Sequence, residues 1–490
     1  MNKVKLLACA GVMLAAATAA NAGGILTNTN QSVDFLRNPA RDAAIGLDGV
    51  YSNPAGVAFL PEGFHLAFNW QYAHQTRTTT WENDLLKLGV KNNGSAIKKY
   101  EGVANAPIIP SLQAAYNKGD WSFQFNFSVP GGGGKCEFDQ GIGSFETVVG
   151  AIASALPNVT GYDVDGYMKG QQYYFGVQVG AAHKFNEHLS VYGGLRLLHG
   201  TASYEARLNN IKVLMGPVET TLPNYFTDAI QQAVAAGMAA DLTLEEAMQL
   251  PEVKKLSAVA ETLSPYAENG VNLKSDQTGW GIAPIIGIDY KTGAFNFAAK
   301  YEFKTRMRMK NNSDLLEAGV IDAMNKYVNG TSVPEDSPAL LAVGAQWSII
   351  DNVRLNLGYH HFYDTDAHWY NNSQELLDGG TNEYLAGAEW DVTPRLTVSG
   401  GGQLTRYQLT DAYMNDMSFV VSSYSFGLGL SYKVSDVVKL SAAYFQTNYE
   451  NYDMNTPQQE MKGLGLIIPA GKNSFTRTNN VLGIGCEVTF

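Results

Sequence analysis

The chain has 490 residues, of which 45% are hydrophobic and only 16% charged, and its formal net charge is −12. An acidic chain without a basic tract excludes nucleic acid as a partner. Beyond the N-terminal stretch no apolar run reaches the ~20 residues a membrane-spanning helix needs. The chain is instead rich in aromatics (11%, with 26 Tyr) and carries 50 Gly, a composition that suits a barrel with interfacial aromatic girdles and glycine-tolerant walls.

Residues 1–22 read as a secretory signal peptide. Lys3 and Lys5 supply the positive start, 6–20 the apolar stretch and Ala20-Asn21-Ala22 the cleavage site, so the mature chain is expected to begin at Gly23. Losing the two lysines takes the net charge from −12 to −14. Cys9 follows Lys5 with almost no apolar stretch before it, which sets lipidation aside, and 6–20 is too short to stay as an anchor helix.

Residues 23–62 are turn-rich and lack strand alternation. A segment this long trails loosely unless it packs on a surface, and the lumen of the barrel argued next is the nearest one. A wide barrel has more interior than wall side chains fill, so a plug or an open channel is expected.

From 63 onward, period-two alternation dominates. Phe64, Leu66, Phe68, Trp70 and Tyr72 make one stripe; Trp121, Phe123, Phe125, Phe127 and Val129 oppose Ser122, Gln124 and Asn126; Tyr424 to Tyr432 repeats the pattern. About fourteen candidate strands lie near 63–77, 105–117, 119–130, 170–185, 187–206, 274–290, 293–310, 337–349, 352–365, 381–391, 394–410, 419–433, 436–450 and 475–490. Tight turns such as 117–120, 291–293 and 433–436 alternate strictly with longer connections, as periplasmic turns and external loops do in outer-membrane barrels. A soluble sandwich would hide its apolar stripes in one core and would not show this alternation. The fold class expected is therefore all-β: a transmembrane antiparallel barrel spanning 63–490, with a plug at 23–62. The last strand ends on Phe490, the aromatic finish that barrel-assembly machinery reads.

Two irregular stretches stand out. The third strand runs into Pro130, Gly131, Gly132, Gly133 and Gly134. Proline removes a ladder donor and glycine permits bends, so this is either a wall defect or a loop hinge. Residues 208–272 carry helical spacing in Phe226, Ile230, Val234 and Met238. Thr243 and Glu246 form a capping box there, and Val253, Leu256, Val259 and Leu263 make a second stripe. Cys136, in the Gly-rich stretch, and Cys486, on the apolar face of the last strand, are not expected to pair. Gly131–Gly134 with Lys135 lacks the Ser or Thr of a phosphate loop. His360 and His361 point to opposite faces and cannot share an ion; they read as interfacial residues, and no metal or cofactor is expected. Arg196, Lys300, Glu302, Arg354, Glu389, Arg406 and Glu487 read as lumen charges that pair internally or meet a ligand headgroup.

Ala43-Ala44, Asp48, Tyr51-Ser52-Asn53-Pro54-Ala55-Gly56 and Val57-Ala58-Phe59-Leu60, placed between a signal peptide and some fourteen strands, carry a resemblance. The chain resembles the FadL/TodX-type family of outer-membrane transporters for long-chain fatty acids and other hydrophobic compounds. The resemblance implies a hatch at 23–62 that gates through Asn53, Pro54, Ala55 and Gly56. It implies a ligand site beside Gly23, Gly24 and Ile25, with Ile25 standing where the family carries an aromatic. It further implies a capture groove on the 208–272 helices and a lateral exit at Pro130, Gly131 and Gly132. The expected function is passive, non-enzymatic transport of hydrophobic molecules such as fatty acids across a Gram-negative outer membrane, with membrane lipid as a further partner. A porin for polar solutes and an adhesive or structural barrel are the alternatives.

Overall fold

Phe64 and Phe68 on the first strand are exposed, whereas His65, Asn69 and Gln71 on the same strand are buried. Trp121 and Phe123 are likewise exposed while Ser122, Gln124 and Asn126 are buried. Apolar outside and polar inside is the reverse of a water-soluble core, and it fits a wall facing hydrocarbon. The computed structural model describes residues 25, 27–269, 271–315, 326–417, 419–461 and 466–490. The expected signal peptide and Gly23 and Gly24 lie outside the described residues.

Fourteen antiparallel strands form the barrel. They are β1 (Gly63–Glu82), β2 (Ile97–Lys118), β3 (Trp121–Phe138), β4 (Gly161–Lys184), β5 (Leu189–Met215), β6 (Val271–Thr292), β7 (Phe295–Glu302), β8 (Leu340–Ile350), β9 (Val353–Phe362), β10 (Asn382–Asp391), β11 (Leu396–Arg406), β12 (Ser423–Lys433), β13 (Val438–Tyr449) and β14 (Gly471–Thr489). β1 pairs with both β2 and β14, so the sheet closes on itself. The seam ends where Phe64 and Phe490 exchange backbone hydrogen bonds. Closure leaves no edge, which hydrocarbon requires. Short turns alternate with long connections throughout, and short extra strands decorate the long-loop end.

Among the described residues there are five α-helices: α1 (Val33–Arg37) inside the barrel, α2 (Gly143–Ala155) between β3 and β4, and α3 (Leu222–Ala239), α4 (Leu244–Met248) and α5 (Pro251–Asn269) between β5 and β6. The capping box at Thr243 and Glu246 is present and starts α4. No described helix is long and apolar enough to cross a membrane.

Three sequence expectations need correction. β3 does not end at Pro130 but continues to Phe138, so Cys136 belongs to a strand, not a loop, and is buried. β5 runs on to Met215, which confines the helical part of 208–272 to α3–α5. His360 is no interfacial residue: it is buried in the lumen, where its ring bridges Asp42 and Glu383 at 2.9 and 2.8 Å. The free thiols of Cys136 and Cys486 form no disulfide.

Candidate functional site

Residues 27–62 occupy the lumen and are tied to the wall along their whole length. Arg41 grips Asp48 with two nitrogens, at 2.8 and 2.9 Å, and reaches Glu389 at 3.0 Å. Arg37 reaches the same Glu389 oxygen at 2.9 Å, and Arg354 approaches from the wall at 3.4 Å. Towards the short-turn end, Asn53 donates to Asp289 at 2.6 Å. The carbonyls of Pro54, Ala55 and Val57 accept from Gln124, Ser190 and Asn117. Lys300 donates to the Tyr51 carbonyl, and both Lys300 and Arg196 lie over the Tyr51 ring, with Arg196 also paired to Glu302. Buried charges persist only when paired and hydrogen-bonded, and here the partners come from both plug and wall.

The long-loop end is closed by two apolar clusters. In one, α2 buries Phe145, Val148, Val149 and Ile152 in a cluster shared with Leu85, Tyr162 and Phe226. Asp416 accepts the Ser144 amide at 2.8 Å, so a carboxylate sits at the N-terminus of α2. In the other, Ile25 packs with Trp369, Phe419 and Phe475. Its backbone N–H faces the Asp364 carboxylate, which also accepts from the amide and hydroxyl of Thr381. Burial pushes both Asp416 and Asp364 up to about 6, against the hydrogen bonds that would hold them down.

The wall itself is incomplete at one place. β2 and β3 pair up to Leu112 and Phe127, then again only from Ala104 and Cys136. The unpaired stretch contains Pro107 and Pro110 on β2 and Pro130 on β3, residues that bring no donor to a ladder. Beside it β3 bulges twice against β4, between Ser128 and Gly131 and again before Gly134. Gly132 has φ +103°, which a side chain resists, and a Cβ there would strike the Gln172 backbone.

The N-terminal segment takes the place of the missing neighbour. Thr27 bridges to Gly131, and Asn28 donates its amide to the Pro130 carbonyl at 2.9 Å and its side chain to Gly132 at 3.1 Å. The Gln31 side chain accepts from the Val129 amide at 3.0 Å and donates to its carbonyl at 3.2 Å. A cavity of about 170 Å³ lies against this patch. Ile25, Thr27, Asn28 and Gln31 line one side; Ala104, Asn105, Ile109, Val129 and Gly132 line the gap side; Tyr407, Tyr449 and Arg477 complete it.

Of the sequence-derived residues, Ile25 and Gly132 meet in the cavity, and Pro130 and Gly131 bind the segment beside it. Asn53, Pro54, Ala55 and Gly56 sit away from it, as anchors at the short-turn end. Phe226 is buried in the α2 cluster, Ile230 and Val234 are half-buried and Met238 is exposed, none of them at this cavity. Pro107 and Pro110 escaped the sequence reading although prolines inside an alternating strand are a readable signal. Asp364 and Asp416 carry no such signal, being ordinary loop acids until burial is known. Among the described residues no group of three or more His, Cys, Asp or Glu side chains forms a metal site.

No protein-family model matches the chain, and no curated protein matches it in sequence. Solved structures do match in fold. A Pseudomonas aeruginosa FadL homologue superposes with a TM-score of 0.60 at 12% identity, over 95% of this chain and 98% of that one. The Ralstonia pickettii toluene transporter TbuX gives 0.51 at 12%, over 94% and 98%, and the P. putida toluene transporter TodX 0.50 at 13%, over 91% and 94%.

Proposed function

We propose that the protein is a passive conduit for hydrophobic molecules, long-chain fatty acids among them, in the outer membrane of a Gram-negative bacterium, and that it is a distant member of the FadL/TodX-type family. One observation carries the reading: a single cavity is bounded by the N-terminal segment and by the stretch of wall where β2 and β3 are unpaired. Ligand is gathered on the external helices through Phe226, Ile230, Val234 and Met238. It passes to the cavity beside Ile25, with Gly23 and Gly24 adjoining. It leaves sideways past Pro130, Gly131 and Gly132 when residues 27–31 let go of β3, while the anchors at Asn53, Pro54, Ala55 and Gly56 keep the hatch in the lumen. Lateral exit suits a greasy solute, which gains by entering hydrocarbon instead of water. Prolines suit the gap, because an unpaired N–H facing lipid costs several kcal/mol. The chemistry is binding and release, without catalysis. The strand ending at Phe490 engages the barrel-assembly machinery, and export uses the cleavable signal peptide.

The test is to let the wall zip. Pro107→Thr, Pro110→Thr and Pro130→Thr together restore ladder donors to β2 and β3. Uptake of a fluorescent apolar probe by vesicles is expected to fall about tenfold, the rate equivalent of ~1.4 kcal/mol, while equilibrium binding is retained. Equal loss of binding and uptake would remove the lateral exit from the scheme.

A further inference from the structure

Just past β7 the chain reads Thr305-Arg306-Met307-Arg308-Met309-Lys310 and enters the short strand Arg308–Ser313. Thr305, Met307 and Met309 are buried, whereas Arg306, Arg308 and Lys310 are exposed. The period of a strand thus sets three cations on one outward face, about 7 Å apart. Lys310 stands in register with Thr278 of β6. A Cβ at Gly279 would meet the Arg308 carbonyl and one at Gly281 the Arg306 carbonyl, so Trp280 and Ile282, both exposed on β6, flank the same stretch. The depth in the membrane follows from counting. β7 starts at Phe295 after a short turn, and a tilted strand crosses hydrocarbon in about 9–11 residues, so the span ends near Thr305 and the cations come next, at the level of the outer headgroups. Trp280, and Tyr301 with Phe303 at 4.8 Å between ring centres, supply the aromatic belt expected there. Other exposed cations towards the long-loop end have an acid beside them: Lys99 has Glu101, Lys135 has Glu137, Arg207 has Glu205 and Arg406 has Glu450. Arg306, Arg308 and Lys310 form no ion pair among the described residues. Asp336 on the neighbouring segment is buried, and its two oxygens accept from the Met307 and His368 amides. The exposed acids Asp276, in register with Asn312, and Asp314 lie farther out.

We infer that Arg306, Arg308 and Lys310 form a docking site on the outside of the barrel for a phosphorylated lipid of the outer leaflet. Its phosphates lie on the three cations, and its acyl chains run down the wall past Ile282 and Ile286. Three unneutralised cations in a chain of net charge −12 call for an anion, and guanidinium forks hold phosphate in two-pronged fashion. The face spans about 14 Å from Arg306 to Lys310, which favours a head with more than one phosphate. A lipid is the occupant, and not free phosphate, because the cations continue without a break into apolar wall: Ile282 and Ile286 are 55% and 52% exposed on the same outward face. This assignment rests on the outer-membrane reading and is independent of what the cavity beside Ile25 carries.

Thermophoretic titration of the full-length protein in non-ionic detergent with EDTA tests it against three probes: bisphosphorylated lipid A, the same lipid stripped of its phosphates, and inorganic pyrophosphate. The bisphosphorylated lipid is expected to bind about 100-fold more tightly than the stripped one, from about fivefold for each basic residue at an anionic lipid surface. Pyrophosphate should not compete. Arg306→Gln with Arg308→Gln and Lys310→Gln should bring the two lipids to equal affinity. Lys118→Gln with Arg395→Gln and Lys433→Gln removes the same charge from exposed positions at the short-turn end and should leave the preference intact. Equal binding of both lipids to the unaltered protein overturns the inference without needing any variant. So does a preference that survives the first triple variant, or one that the second abolishes as well, which would make it a matter of net charge. Competition by pyrophosphate would replace the lipid by free phosphate. Uptake of an apolar probe by vesicles free of lipid A reports the conduit separately: it should be the same in all three proteins, and its absence from all three would remove the conduit and leave the lipid site standing.

Discussion

Glu389 holds three arginines, Arg37 and Arg41 from the plug and Arg354 from the wall. Removing one partner of a buried charge network costs about 3–5 kcal/mol, because the remaining charges stay buried without compensation. Glu389→Gln is therefore expected to lower the unfolding midpoint in urea and to loosen the plug, seen as new current in planar bilayers; a silent, fully stable variant would mean that Asp34, Asp48 and Asp391 suffice. Asp364 and Asp416 behave in the opposite sense. Burial raises each folded carboxyl to about 6 from an ordinary 3.8, so between these values the folded state binds more protons than the unfolded one. Their contribution to stability is then largest below pH 4, declines as pH rises through 6 and is flat above it. Taking the protein from pH 7 to pH 5 should stabilise it by about 1 kcal/mol per group. Asp364→Asn with Asp416→Asn should flatten that dependence in urea titrations at the two pH values, and an unchanged slope would place the titration elsewhere.

At the scale of elements, glycine explains how a plug fits inside a walled lumen. A Cβ at Gly358 would run into the Asp42 carboxylate, at Gly387 into Asn38, and at Gly427 into the Leu36 carbonyl. Valine favours a strand, so Gly387→Val with Gly427→Val should leave the barrel folded while pushing the plug away; overpacking of this kind costs about 1–3 kcal/mol per site. Gly400→Val is the control, since its nearest neighbour is an ordinary 3.5 Å away. Proteolysis within residues 27–62 should accelerate in the first variant alone. Equal protection in both would mean that the plug does not lean on those glycines. The same residue type limits what a sequence discloses. Strands with large side chains announce themselves by alternation, and each of the fourteen was legible. β3 beyond Pro130 was not, because four successive glycines have no side chains to alternate. α2 was missed for a related reason: most of it is buried, Phe145 through Ala153 without a break, and a helix apolar on nearly all sides shows no stripe. Arg77 on β1 and Arg477 on β14 are both buried, which alternation within each strand foretells. That they stand directly opposite one another depends on the register in which the barrel closes, which alternation does not foretell.

For the whole molecule, the contest between a gated conduit and an open porin turns on how the lumen is filled. A barrel of fourteen strands encloses more space than its own side chains occupy, and in this chain the remainder is taken by residues 27–62, held by ion pairs and carbonyl contacts from strands on every side. The long-loop end is sealed again by α2 and by the cluster around Ile25. Two closures in series predict that purified protein in a planar bilayer is almost silent, and that a chain lacking residues 23–40 conducts. The shortened chain should also lose binding of the hydrophobic probe, because it lacks Ile25 and the 27–31 segment that form one side of the cavity. A porin would instead conduct before truncation and be indifferent to the probe, while an adhesive barrel would stay silent and unaffected in both. Conductance and binding must therefore change together and in opposite directions, gain of current with loss of ligand, for the plug to be at once the gate and part of the site.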